Sequence, residues 1–217
     1  MIREFITYEW FTLLCITSLL FVTAAKYLFG LRFNDFLLVL GNSKYLKIYS
    51  KEQKFIDAFD CLLFVNFAIG LSIFIHISYS HLVSPITFDI VSFLKLLFAV
   101  SALFLIKVLI ERLISSLFEI DAIIDSYVFQ KTTFKNFSGI ILLIANLILL
   151  FGLNVSNIAI CIVIIVFLLI NSIGFITSFK NYQKLILANF FYFLLYLCAL
   201  EIGPYIILYK AIKDYIA

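Results

Sequence analysis

The 217-residue chain is 65% hydrophobic, carries only 13% charged residues and has a mean hydropathy of +1.15. A soluble domain of this size cannot bury so much apolar side chain, so lipid must be the solvent for much of it. The net charge of +3 is too small to indicate a nucleic-acid partner.

Tyr8–Phe29 reads as the first membrane span. Arg3, the apolar run and Thr23-Ala24-Ala25 outline a signal peptide, but Glu4, Glu9 and the length of the run argue for a retained helix. The loop that follows begins apolar, breaks at Gly41-Asn42 and resumes with Tyr45, Leu46, Ile48 and Tyr49 among lysines. It reads as a short helix or two in the membrane interface. Arg32, Lys44, Lys47, Lys51 and Lys54 would then turn toward anionic headgroups.

Ile56–Tyr79 and Thr87–Ile110 read as spans two and three. Asp57 and Asp60 share a helix face at the start of span two. They could grip a cation, although such a pair more often offsets a helix dipole. His76 and His81 do not share a face, which argues against a metal site. After span three, Leu117, Ile120, Ile123, Ile124, Tyr127 and Val128 recur at helical spacing, with Glu119, Asp121 and Asp125 off that stripe. The acidic residues suit a protein partner; otherwise the segment is a solvated extension of span three.

No charge interrupts Asn136 to Phe179, a run too long for one span, and Gly152 to Asn157 is a turn-like break within it. The expected spans are Phe137–Phe151 and Ser156–Phe179, and Leu185–Tyr209 makes a sixth. The whole, 1–217, reads as one all-α polytopic bundle with interfacial helices. Solidly apolar runs do not fit the alternating strands of a barrel. Basic residues concentrate in the loops after spans one, three and five, which puts both termini outside the cytoplasm.

Lys95 and Glu201 lie inside spans three and six, each about 12 Å deep at roughly 1.5 Å per residue. A mid-bilayer charge costs about 2.5 to 3.5 kcal/mol, so the two are expected to pair. A protonated Glu201, or a Lys95 that reaches the outer interface, are the alternatives. Gly203-Pro204 should kink the sixth helix and free the carbonyl of Leu200. Asn66, Asn146, Asn171 and Asn189 read as interhelical hydrogen-bonding groups, worth about 0.6 kcal/mol each. Cys15, Cys61, Cys161 and Cys198 read as small apolar fillers, because no C-x-x-C pair is present.

No catalytic constellation, metal set, cofactor motif or phosphate loop can be assembled, and no soluble small-molecule substrate is evident. The expectation is a non-enzymatic subunit or assembly factor that meets lipid and other membrane proteins. A small proton- or ion-coupled transporter using Glu201 with Lys95 is the alternative.

The stretch YLCALEIGPYIILYK, Tyr196 to Lys210, carries one further signal. Its Leu-Cys-Ala-Leu-Glu-Ile-x-Pro core resembles the C-terminal signature of a family of small polytopic membrane proteins of Bacteroidota, catalogued as a domain of unknown function. The break at Gly41 to Lys44, a lysine in span three and an acidic segment before span four are compatible with it. The resemblance implies a Gram-negative inner membrane and brings no established activity. Its lineage also suggests type IX secretion and gliding complexes.

Overall fold

The computed structural model describes residues 9–42, 44–50, 57–83, 88–117, 121–152 and 155–188. Every regular element among them is helical. Helix α1 is Glu9–Leu28, α2 Gly30–Leu37, α3 Lys44–Tyr49, α4 Ala58–Leu82, α5 Ile90–Leu117, α6 Asp121–Leu147 and α7 Asn157–Ala188, and a π-helical turn at Ile148–Gly152 extends α6. Five of these helices are long and apolar enough to cross a membrane, as a multi-pass membrane protein requires. The expected sixth span lies outside the described residues from 189 onward, and its first residues, 185–188, continue α7.

Helix starts follow local chemistry. Asp57 caps α4 by accepting from the Phe59 amide at 3.1 Å, and Ser156 caps α7 by accepting from the Ala159 amide at 3.2 Å. Asp89 opens α5 by accepting from the Ser92 hydroxyl at 2.7 Å and the Ser92 amide at 2.9 Å. Those bonds hold the exposed Asp89 carboxyl below the ordinary aspartate range.

Helices α4 and α6 form the centre. Over half of the apolar window of each is buried (56%), against 11% for α5, and α1, α5 and α7 pack around them. Lipid offers no hydrophobic drive for helices to associate, so close approach and polar contacts must hold this pair together. Both are present. Asn136 Nδ2 donates to the Asp60 carbonyl at 3.3 Å, and Asn146 Nδ2 to the Gly70 carbonyl at 2.7 Å. From α1, the Ser18 hydroxyl donates to Asn66 Oδ1 at 2.6 Å. Asn66 and Asn146 therefore link helices as expected, whereas Asn171 Nδ2 donates back to its own helix at Phe167 O.

At Gly139, α6 lies against α4 with no room for a side chain. A Cβ there would lie 2.8 Å from both Cα and Cβ of Phe67, whereas one at Gly70 would meet nothing nearer than 3.6 Å. Gly139→Val should therefore destabilise the bundle by about 1 to 3 kcal/mol through overpacking, while Gly70→Ala stays near wild type. Thermal unfolding of the two variants in one mild detergent checks this. Equal melting would place the tight contact elsewhere.

Two aromatic cores sit at opposite ends. At one, Phe36 packs edge-on against Tyr45 and Phe59 and tilted against Phe137, joining α2, α3, α4 and α6. At the other, Phe11, Phe88 and Phe93 surround His76.

The start of span four needs correction. Span four does not begin at Phe137: α6 starts at Asp121, and its membrane-crossing portion is Ile124–Gly152, so Lys131 and Lys135 lie inside a helix rather than a loop. The acidic segment accordingly opens α6 at Asp121 and does not extend span three. For span five, the apolar portion of α7 long enough to cross a membrane is Asn157–Thr177, close to the expected Ser156–Phe179, and the helix itself continues through Lys180 and Lys184 to Ala188.

Candidate functional site

Beside the aromatic contacts of Phe36, one polar side chain ties α2 to α3 and α4. Arg32 Nη1 donates to Asp57 Oδ2 at 2.5 Å, Nη2 to Asp60 Oδ2 at 3.3 Å and Nε to the Tyr45 hydroxyl at 3.4 Å. Its guanidinium also lies over Phe59 at 4.6 Å and Tyr49 at 5.1 Å. Burial works against the charge, but Tyr45, Asp57 and Asp60 outweigh it, so Arg32 holds its proton more firmly than usual. Burial, with Asp60 nearby, pushes the Tyr45 phenol above its ordinary range, against the opposing pull of Arg32.

This corrects the reading of Arg32 as a headgroup contact. Its side chain is largely buried (15% exposed) because two carboxylates and three aromatic rings enclose it. Lys44 and Lys47 are exposed, with Lys44 Nζ 3.9 Å from Asp35. Lys51 and Lys54 lie outside the described residues. Asp57 and Asp60 do face the same way, as their spacing implied, and what they grip is Arg32.

The fixed helices present an apolar outer side. Phe33, Phe36, Tyr45 and Leu46 point inward, while Leu31 is 84% and Leu38 62% exposed, with Leu37, Leu40 and Ile48 beside them. Sequence periodicity anticipated the helices but not their attachment, because Arg32 and Asp57 lie at the ends of different helices with α3 between them in sequence.

A second pair was missed altogether. Glu111 is completely buried near the end of α5, and Lys131 Nζ donates to its Oε1 at 2.6 Å. Ending span three at Ile110 had left Glu111 in a loop. On the next residue of α5, Arg112 Nε lies 3.6 Å from Asp125 Oδ1, so Asp125 is partly engaged within the chain. Glu119 lies outside the described residues, and for Asp121 the structure adds only that it begins α6.

Between α4, α5 and α6, beside the Arg32 cluster, lies a cavity of about 310 Å³. Asp57, Asp60, Arg112, Thr132, Lys135 and Asn136 supply its polar lining; Cys61, Phe64, Phe104, Leu105, Val108, Leu109 and Val128 supply the apolar one. Lys135 Nζ stands 4.6 Å from the Phe104 ring centroid.

Lys95 occupies the exposed side of α5 in its first two turns, near enough to Asp89 to interact electrostatically. Glu201, Gly203 and Pro204 lie outside the described residues, so the expected Lys95–Glu201 pair and the helix kink are not described. Among the described residues, no three His, Cys, Asp or Glu side chains converge as metal ligands.

The family model described as "Domain of unknown function (DUF4271)" matches residues 11–212. No curated protein and no solved structure matches the chain.

Proposed function

The chain belongs to the DUF4271 family, and from its geometry we propose that it is a non-enzymatic integral-membrane subunit or assembly factor of a larger envelope complex. What supports the reading is the platform made by α2 and α3. A loop that merely rests on lipid needs no internal ion pairs. Here Arg32, Asp57, Asp60 and Tyr45 fix the segment on α4, and Leu31 and Leu38 are turned outward from that fixed base. A surface ordered in advance loses less conformational entropy when a partner docks, which is what a scaffold requires.

On this reading the membrane is a bacterial inner membrane with both termini periplasmic, so the platform faces the cytoplasm. The four lysines between α2 and α4, Lys44, Lys47, Lys51 and Lys54, support that orientation. The Bacteroidota lineage implied by the C-terminal resemblance makes the type IX secretion and gliding machinery the first complex to examine.

The test is purification of the tagged full-length chain from its native membrane in a mild detergent, with mass spectrometry of what elutes with it. The proposal expects named membrane proteins in fixed ratio through size exclusion. A chain that elutes alone, and that supports proton-linked flux lost in Glu201→Gln, would replace it with transport.

A further inference from the structure

We propose that the cavity between α4, α5 and α6 is a binding site for one phospholipid whose headgroup carries a primary ammonium beside its phosphate. The argument is independent of the platform and begins with an unanswered acceptor. Asn136 is completely buried on the cavity wall; its Nδ2 is used on the Asp60 carbonyl, and its Oδ1 has no hydrogen-bond partner among the described residues. Asp60, on the facing helix, directs Oδ2 to Arg32, while its buried Oδ1 likewise has none. Buried acceptors left without donors are costly, and two lining one cavity call for a ligand rich in N–H or O–H groups. A primary ammonium supplies three donors and a positive charge that suits Asp57 and Asp60.

The same cavity carries the complementary charge. Arg112 of α5 and Lys135 of α6 bring positive side chains to its wall, which suits a phosphate. The remaining lining is apolar, as an acyl chain or glycerol backbone requires. Leu105 and Leu109 on the cavity wall are also about half exposed on the outer side of α5 (51% and 53%), where a membrane lipid has access. At about 310 Å³ the space is at the small end of ligand pockets. It accommodates a headgroup with the first part of its chains, the rest lying along α5. A soluble zwitterion would leave the apolar lining unmatched.

The site is tested by placing the full-length chain in vesicles of equal phosphatidylethanolamine, phosphatidylcholine and phosphatidylglycerol with matched acyl chains, then extracting it gently for native mass spectrometry. Wild type should retain one phosphatidylethanolamine per chain, preferred about tenfold over phosphatidylcholine, whose quaternary nitrogen has no N–H to offer. Asn136→Leu should reduce that preference. Because Asn136 also bonds the Asp60 carbonyl, Val108→Trp is the companion variant. It fills the cavity from the α5 side and should abolish retention while the chain still elutes and melts like wild type. Equal retention of the three lipids, preference for phosphatidylglycerol, no retained lipid, or retention unchanged in Val108→Trp would each overturn the assignment.

Discussion

Arg32→Ala is expected to be among the most damaging single substitutions in the described part of the protein. It leaves Asp57 and Asp60 largely buried without their counter-ion, and it removes the only cation that bonds both carboxylates among the described residues. Removing one partner of a buried ion pair typically costs about 3 to 5 kcal/mol, most of it the penalty on the charge left behind. The loss should fall on the attachment of α2 and α3 first. Hydrogen exchange in Phe33 to Leu37 should then accelerate more than in the centre of α4. Combining Arg32→Met with Asp57→Asn and Asp60→Leu should recover much of the stability, because Asn still caps α4 and no buried charge is stranded. If Arg32→Ala melts like wild type and the exchange pattern is unchanged, the lock is not what holds the platform.

Lys131→Ala should be comparable, for the same reason at a deeper place. Glu111 has no exposed surface, and its Oε1 takes its hydrogen bond from Lys131. Stranding that carboxylate between α5 and α6 again carries a penalty of about 3 to 5 kcal/mol. Lys131→Met should do the same despite keeping the side-chain volume, while Lys131→Met with Glu111→Leu should approach wild type. Thermal unfolding of the single and double variants in one detergent separates these outcomes. A double variant no better than Lys131→Met would mean that Glu111 has a further role beyond the pair.

The two clusters also explain what was legible in the sequence. Apolar run length found five membrane-crossing helices close to where they lie, and the Gly41-Asn42 break separated α2 from α3. Helix ends were the weak point wherever charge was taken to mean water. Hydropathy counts Glu111, Lys131 and Lys135 one at a time, each as a reason to stop a span. In three dimensions Glu111 and Lys131 neutralise each other, and Lys135 lies against the Phe104 ring, so the helices run on.

Arg32 failed for a related reason. Charge bias across loops orients a membrane protein, but it does not reveal which arginine turns inward. The shared face of Asp57 and Asp60 left a cation open as one of two roles, yet its identity depended on Arg32 of α2 lying against α4. The cavity was not legible at all, since its lining comes from three helices and its polar residues are ordinary ones singly. Whether Lys95 meets Glu201 is not described, since Glu201 lies outside the described residues. With α5 starting at Ile90 behind the Asp89 cap, Lys95 lies nearer the helix end.

If the α2–α3 platform docks another membrane protein, site-specific photo-crosslinking in the native membrane will capture that partner. A photoreactive residue replacing Leu38 should give one protein adduct of defined mass, while the same residue replacing Ile165, on the exposed side of α7, should give lipid adducts. Arg32→Ala should abolish the Leu38 adduct at equal expression. Lipid adducts alone from Leu38, with and without Arg32, would contradict the account and leave α2 and α3 as interfacial anchors.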